Sequence, residues 1–132
     1  MRTVPSPQAV AGVQNAIAAY AHALDDGRTD DVVAQFTARG VSEIVGYGTF
    51  EGHAALQEGY SGLVPAKPQR HLVTNTAIVS ISPDEVVATS DLVWLVRDEK
   101  GWIVEGTGRY QDTLRNEDGV WRFAHRTLRF TV

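Results

Sequence analysis

The sequence contains no cysteine, which excludes disulfide frameworks, thiolate metal sites and cysteine nucleophiles. No stretch approaches the ~20 apolar residues of a membrane-spanning helix. The N-terminal residues also lack the apolar run of a secretory signal peptide, so we expect a cytoplasmic protein. Basic residues are outnumbered, with 12 Lys and Arg against 16 Asp and Glu. This balance argues against nucleic acid or an anionic membrane as a partner.

The remaining composition is that of an ordinary globular protein, with 43% hydrophobic and 21% charged residues. A chain of 132 residues is long enough to bury a stable hydrophobic core without disulfide bonds. There are no internal repeats and no low-complexity linker. We therefore expect one domain spanning residues 1–132.

The N-terminal part has helical chemistry. Ser6 can cap a helix, and Pro7 suits its first turn. Apolar residues then recur every three or four positions as far as Leu24, and Gly27 ends the pattern. Three short elements are expected next: a helix from Thr29 or Asp30 to Gly40, a strand over Val41–Gly46 and a helix near His53–Leu63.

After Arg70 the pattern becomes that of extended chain, rich in β-branched and aromatic residues. Short turns separate the segments, so consecutive strands should pair antiparallel. Helices followed by a meander predict an α+β fold: a curved antiparallel sheet with the N-terminal helices packed on one face around a pocket. The four predicted strands are Leu72–Ile81, Val86–Val96, Trp102–Leu114 and Val120–Val132.

Several kinds of functional site have no matching motif. The glycine clusters at Gly46–Gly48 and Gly106–Gly108 fit neither a dinucleotide-binding nor a phosphate-binding loop, and we interpret them as bends or bulges. The four histidines are scattered without the spacing of a metal site, so no metal and no cofactor are expected. No serine sits in a nucleophile elbow. Acid–base chemistry remains.

Asp25 and His71 are candidates for that chemistry. A carboxylate at a helix C-terminus is unfavourable with the helix dipole, and Asp26 adds repulsion, so a histidine from the facing sheet would offset the cost. His71 begins the first long strand. The alternatives are a solvated turn at Asp25 and a half-exposed strand end at His71.

Asp91 interrupts an otherwise apolar strand, where an ionised carboxylate needs a partner. Arg126 could be that partner, but it has the opposite parity to Trp121 and Phe123. It faces inward only if a bulge or bend falls between Phe123 and Arg126. A structural salt bridge and a functional site are both open for Asp91. Tyr20, beside the buried stripe of the first helix, is either a site residue or a core tyrosine.

The ordered pattern resembles the SnoaL-like branch of the nuclear transport factor 2-like superfamily, whose fold is an α+β cone. The resemblance spans nearly the whole chain. It rests on Tyr20-x4-Asp25, Phe36-Thr37, Gly46–Gly52, Arg70-His71-Leu72-Val73-Thr74-Asn75, Gly108-Arg109-Tyr110-Gln111-Asp112 and Asp118-Gly119-Val120-Trp121-Arg122-Phe123-x2-Arg126.

Within that branch the sequence is similar to scytalone dehydratase, bile-acid 7α-dehydratase and hexachlorocyclohexane dehydrochlorinase, which run eliminations with an Asp–His pair and no cofactor. Asp25 and His71 match that pair, and Tyr20, Asp91 and Arg126 match further pocket residues of the bile-acid enzyme. The resemblance implies a cofactor-independent lyase, most simply a dehydratase, acting on a small hydrophobic substrate.

In the resulting hypothesis His71 is the general base and Asp25 fixes its tautomer. Tyr20 donates a hydrogen bond to the reacting oxygen, and Arg126, oriented by Asp91, supplies positive potential. The candidate pocket walls, each with core packing as the alternative, are Tyr47, Phe50, Tyr60 and Trp94.

Three other functions stay open. The same dyad could serve an isomerase or a polyketide cyclase, because these reactions also begin with proton abstraction. The protein could be a non-catalytic binding or structural subunit. It could be an epoxide hydrolase, using Asp91, Arg126 and Asp25 to activate water. We also expect a homodimer through the outer face of the sheet, since its many β-branched residues and tryptophans exceed what one pocket and core require.

Overall fold

A computed structural model describes residues 3–131. Helix α1 (Pro7–Asp25) begins where the Ser6 hydroxyl accepts a hydrogen bond from the N–H of Ala9 at 3.1 Å. This contact satisfies one of the free N–H groups of the first turn, as predicted. No helix in this part of the chain is long and apolar enough to cross a membrane.

The other elements follow the predicted order, with one additional short strand before the third helix. They are α2 (Thr29–Ala34), β1 (Phe36–Ile44), β2 (Gly48–Glu51), α3 (Gly52–Ser61), β3 (Gln69–Ser82), β4 (Glu85–Asp98), β5 (Gly101–Glu117) and β6 (Val120–Phe130). The last predicted strand ran to Val132, which lies outside the described residues.

The six strands form one curved, unclosed sheet in the order β2-β1-β6-β5-β4-β3. The predicted meander of β3 to β6 is present, and each consecutive pair is antiparallel. The predicted curved α+β sheet is present, but it is mixed instead of antiparallel throughout, because β1 and β6 run parallel. Turn chemistry predicts only pairs of strands that follow each other directly, and this pair joins opposite ends of the chain.

The second helix is shorter than predicted. It ends at Ala34, and Gly40 lies inside β1 instead of ending a helix. A Cβ atom at Gly40 would approach the carbonyl oxygen of Phe123 to 2.9 Å, so this glycine permits the close approach of β1 and β6. Strand β2, which was not predicted, pairs with β1 as a short edge strand.

Both glycine clusters are bends or bulges, as predicted. Gly46 has a φ of +86° in the turn between β1 and β2. Trp94 pairs with Gly106 but Leu95 pairs with Val104, so Glu105 is the extra residue of a bulge in β5.

The helices pack on the concave face of the sheet. The main core joins α1, α2 and α3 to inward side chains of β4, β5 and β6. A second, smaller cluster consists of Leu92, Tyr110 and Leu128, one residue each from β4, β5 and β6. Between the helices and this second cluster a cavity remains.

Candidate active site

The cavity has a volume of about 300 Å³ and twelve lining residues. Half of them are aromatic: Tyr20, Tyr47, Tyr60, Trp94, Tyr110 and Phe130. Gln69 and His71 are the polar members that are not tyrosines. A larger depression at Lys67–Pro68 and Arg97–Lys100 is more open to solvent and holds no histidine. The aromatic cavity, which is less open and contains His71, is therefore the candidate active site.

Asp25 and His71 meet at the wall of this cavity, as predicted. Asp25 is the last residue of α1 and His71 the third of β3. The Nδ1 atom of His71 lies 2.6 Å from Oδ1 of Asp25, and the His71 backbone N–H donates to Oδ2 at 2.8 Å. Their side chains are only 9% and 5% exposed. Since Nδ1 is occupied, the other ring nitrogen, Nε2, is the one available for chemistry, and no described residue bonds to it.

Gln69 completes this arrangement, and sequence reasoning missed it. An indole N–H can only donate, so the 3.2 Å contact of Trp94 Nε1 with Gln69 Oε1 fixes the orientation of the amide. The Gln69 amide nitrogen then donates to Oδ1 of Asp25 at 3.2 Å. Asp25 thus accepts from three N–H groups, which fix the position of its carboxylate beside the His71 ring. Gln69 is two residues from His71 on β3, so both side chains lie on the same face of the strand. This spacing was the feature of the sequence that could have identified Gln69.

The predicted wall residues divide into three kinds. Trp94 lines the cavity and stacks on the His71 ring, with centroids 5.9 Å apart and planes at 21°. Tyr60 lines it from α3 and is buried, whereas Tyr47 lies at the mouth and is 56% exposed. Phe50 is not among the lining residues; it packs behind the wall against Gly59 and Tyr60, where its ring takes the space a side chain at 59 would need.

Tyr20 lies on the cavity wall in a chain of hydroxyl groups. Its OH is 2.6 Å from the OH of Tyr60, which is 2.7 Å from the hydroxyl of Ser42. Burial raises the pKa of both tyrosines, so they stay protonated at neutral pH. Three hydroxyl protons serve two hydrogen bonds here, so one O–H of the three is not used between these residues.

Arg126 faces inward because of a bulge at the predicted place. Thr113 pairs with His125 but Leu114 pairs with Phe123, so Ala124 is the extra residue. Phe123 and Arg126 therefore both point into the core. The guanidinium carbon lies 3.5 Å from the ring centroid of Tyr110, 4.2 Å from that of Tyr20 and 4.5 Å from that of Phe123.

The expected contact of Asp91 with Arg126 is absent. Asp91 alternates with buried Leu92 and lies on the outer face of the sheet, where it accepts from Asn75 at 3.0 Å and from Arg109 at 2.9 Å. The bond from Asn75 and the pair with Arg109 lower its pKa. Because successive residues of β4 point to opposite faces of the sheet, Asp91 is kept out of the cavity.

Asp112 is the partner that sequence reasoning missed. It lies opposite Arg126 on β5, and its Oδ1 is 3.1 Å from Nε, although the N–H is not directed well enough for a hydrogen bond. Both side chains are at most 1% exposed. Burial raises the pKa of Asp112 to about 6, against the opposing effect of Arg126. Its alternation with Tyr110 and Leu114, which places the three residues on one face of β5, was the available signal.

The SnoaL-like domain family matches this chain over residues 7–127, nearly its whole length. The protein belongs to the SnoaL-like family. No curated protein matches the chain in sequence. Its fold is that of the nuclear transport factor 2-like proteins, some of which are also described as cystatin-like.

Three solved structures illustrate the likeness of this SnoaL-like chain. A variant of Rv3472 from Mycobacterium tuberculosis, a protein of unknown function, is 28% identical with a TM-score of 0.85, covering 93% of this chain and 72% of that one. A protein from Catenulispora acidiphila in complex with S-DNPA is 25% identical, with a TM-score of 0.84 and 95% of each chain covered. A candidate scytalone dehydratase from Novosphingobium aromaticivorans is 22% identical, with a TM-score of 0.83, covering 94% and 85%, and shows the fold alone.

The SnoaL-like cavity thus combines a histidine nitrogen, an oriented carboxylate and tyrosine hydroxyls in an apolar surrounding. Within residues 3–131 no group of three or more His, Asp or Glu side chains could hold a metal ion. The chemistry that these side chains can perform is proton transfer at a carbon or oxygen atom, assisted by hydrogen bonds to a developing negative charge.

Proposed function

We propose that this protein is a cofactor-independent lyase, in the simplest case a dehydratase, that acts on a small hydrophobic substrate. The observation that carries the proposal is the 2.6 Å contact between Asp25 and His71 at the wall of an aromatic cavity. That contact occupies Nδ1 and leaves Nε2 as the base. Dehydratase-like members of the family and the fold likeness to a candidate scytalone dehydratase support the choice of reaction.

The reaction begins when His71 Nε2 takes a proton from a carbon next to a carbonyl group. The C–H electron pair forms a carbon–carbon double bond, and the carbonyl becomes an enolate. When the enolate collapses, the bond to a hydroxyl group on the next carbon breaks. The departing hydroxide takes the proton from the imidazolium and leaves as water. Asp25 stabilises the imidazolium between these steps.

We assign the free hydroxyl proton of the Tyr20–Tyr60–Ser42 chain to Tyr20, which donates to the reacting oxygen. Arg126 does not line the cavity, so its charge acts through the rings on which it stacks. A positioned acid–base pair typically gives ~10²–10⁴-fold, which suits a carbon already acidified by a carbonyl group.

An isomerase or polyketide cyclase would use the same first step, and proton exchange alone does not distinguish these reactions from elimination. The epoxide hydrolase alternative needs Asp91, Arg126 and Asp25 in one site. Asp91 lies on the outer face of the sheet, so this set is not assembled in the cavity.

The test uses two simple probes. The aldol adduct of benzaldehyde and acetone is a β-hydroxy ketone whose dehydration is followed by ultraviolet absorbance. Exchange of the α-protons of β-tetralone in D₂O, followed by NMR, measures proton abstraction alone. We expect both to be accelerated by the wild type and not by His71→Ala, with Thr89→Val on the outer face as the control. Absence of exchange with wild-type protein at saturating probe would favour the binding-subunit alternative.

We further propose that the outer face of the sheet forms a homodimer. Val93 and Leu95 alternate with inward-facing Leu92 and Trp94. Around them on the outer face lie three exposed apolar residues, Leu72 (45% exposed), Trp102 (49%) and Val104 (62%). Such a contiguous patch is typical of an interface. Size-exclusion chromatography should show a dimer that Val104→Glu converts to a monomer; a wild-type monomer at micromolar concentration would contradict it.

A further inference from the structure

Tyr47 lies between two depressions of the molecule and lines both of them. One is the cavity of about 300 Å³ that contains His71. The other is a depression of about 460 Å³ on the surface of α3, lined also by Phe50, Ala55, Glu58, Gly59 and Gly62. No other residue in 3–131 lines both. The Tyr47 side chain is therefore the partition between the cavity and the α3 depression.

The turn between β1 and β2 holds this partition in place. The Tyr47 N–H donates to the carbonyl oxygen of Ile44 at 2.9 Å, and Gly46 has a φ of +86°, which favours glycine. The ring packs edge-on against Phe50, with centroids 6.1 Å apart. The hydroxyl oxygen reaches to 3.4 Å from the place where a Cβ atom would lie at Gly62. The side chain thus spans from the turn to the end of α3 and closes the cavity on that side.

The partition limits the space that a substrate can occupy. Cavities that enclose drug-sized ligands typically measure ~300–1,000 Å³, so the cavity of this protein, at about 300 Å³, is at the lower end of that range. If residue 47 were alanine, the cavity would open into the α3 depression of about 460 Å³. A molecule that reaches His71 from this side therefore has to end at the Tyr47 ring.

The α3 depression favours one kind of occupant. Glycine, alanine and the Phe50 ring provide an apolar lining without large aliphatic side chains, which suits a linear hydrocarbon chain. Glu58 is the charged member of the lining, and it is exposed. A carboxylate on the chain would be repelled by Glu58, whereas an uncharged chain would not. The charge of a chain therefore reports whether it lies in this depression.

We propose that Tyr47 determines the length of the substrate. The wild type takes compact aromatic ketones that end at the Tyr47 ring, and it rejects ketones with a chain that extends toward α3. This inference rests on the proposed function for its reaction, but the length limit is a property of binding and is measured without turnover. Tyr47 contacts the end of the substrate remote from the reacting atoms, so it is a specificity-determining residue and not a catalytic one.

The first test compares β-tetralone with its 6-butyl derivative, whose chain is on the ring remote from the carbonyl group. Calorimetry gives the Kd of each ketone for wild type, Tyr47→Ala and the matched control Tyr47→Phe, which keeps the ring. Wild type and Tyr47→Phe should bind the butyl ketone no more tightly than β-tetralone. Tyr47→Ala should bind it at least about tenfold more tightly than β-tetralone, because the chain is then buried in the α3 depression.

Tyr47 is 56% exposed and outside the core clusters, so Tyr47→Ala should fold, and thermal unfolding checks this. A butyl chain with the same effect on Kd in wild type and in Tyr47→Ala would overturn the proposal. Failure of both ketones to bind to any of the three proteins would overturn it as well.

The second test locates the chain. The ligand is 6-(3-carboxypropyl)-β-tetralone, and the starting protein is Tyr47→Ala. Adding Glu58→Gln should lower Kd about threefold, because repulsion of the carboxylate is removed. Adding Glu99→Gln, in the turn between β4 and β5, changes the net charge equally and should leave Kd unchanged. Equal Kd values for the two double variants would show that the chain does not lie on α3 and would overturn the proposal.

Exchange of α-protons separates this inference from the proposed function. If the ketones bind as predicted but the wild type exchanges no protons of β-tetralone, the lyase proposal fails and the length limit stands. If the wild type exchanges the protons of β-tetralone and of its 6-butyl derivative with equal kcat/KM, the lyase proposal stands and the role of Tyr47 is wrong.

Discussion

The interior holds two pairs of a carboxylate with a basic side chain, and they are built differently. In Asp25–His71 the carboxylate accepts from three N–H groups, and one histidine nitrogen remains free. In Asp112–Arg126 both side chains are sealed from solvent, the atoms are 3.1 Å apart and no well-directed hydrogen bond forms.

This difference separates two tasks. A pair that exchanges protons with a substrate needs a free nitrogen at a cavity wall, and Asp25–His71 has one. A pair that only supplies a fixed charge can be enclosed by aromatic rings, as Asp112–Arg126 is. Loss of the first pair should therefore affect activity, and loss of the second should affect stability first.

The largest expected effect is on catalysis by the first pair. His71→Ala should lower kcat for α-proton exchange by about 10³-fold, since the base itself is lost. Its stability should change little compared with that of variants in the second pair. Exchange kinetics and urea unfolding of the same preparation measure both quantities. An active His71→Ala would show that proton abstraction does not depend on the Asp25–His71 pair.

The second pair should dominate stability. Arg126→Met leaves Asp112 buried without a counter-ion, which typically costs about 3–5 kcal/mol of unfolding free energy at pH 8. The double variant Arg126→Met/Asp112→Leu should recover much of the loss, because no charge then remains buried. Urea unfolding of the single and double variants tests this. A fully stable Arg126→Met would mean that the pair contributes nothing to folding.

The pH dependence of stability should also report the second pair. The pKa of Asp112 is about 6 in the folded protein, above the ordinary value of 3.8. Between these pH values the folded state binds more protons than the unfolded state, so this group lowers stability as pH rises from about 4 to 6. Above that window its effect is constant.

Relative to wild type, Asp112→Asn should therefore gain about 2 kcal/mol between pH 4 and pH 7, taking ~1.4 kcal/mol per pKa unit and allowing for the part of the titration below pH 4. Chemical unfolding of both proteins across this range provides the measurement. A constant difference between them would show that Asp112 does not titrate in this window.

The smallest expected effect concerns the support of the first pair. Gln69→Leu removes one of the three donors to Asp25, and we expect kcat to fall about tenfold with little change in KM. Trp94→Phe, which keeps a ring against His71 but loses the indole N–H, should have a weaker effect in the same direction. Equal activity of Gln69→Leu and wild type would limit the functional unit to Asp25 and His71.

Features fixed by local sequence could be predicted. The cap at Ser6 and the spacing of apolar residues define α1, which places Asp25 at its C-terminus. Alternation along β3 places His71 on the inner face. These local features place the two residues, and the packing of α1 against β3 brings them together.

Features fixed by pairing between distant strands could not. Parity indicated that Arg126 needs a bulge to face inward, but only the pairing with β5 creates it, at Ala124. The same register sets Asp112, not Asp91, opposite Arg126. The parallel contact of β1 with β6 likewise depends on long-range packing, which the short connections do not encode.

The most direct test of the central claim, that Asp25 fixes His71 with Nε2 free, is the tautomer of His71 by ¹⁵N NMR at a pH where the ring is neutral. We predict that the proton is on Nδ1 and Nε2 is bare in the wild type, and that Asp25→Asn loses this preference. The exposed His22 and His125 serve as internal references, because neither side chain is hydrogen-bonded to Asp25. A proton on Nε2 in the wild type, or a tautomer unaffected by Asp25→Asn, would contradict the account.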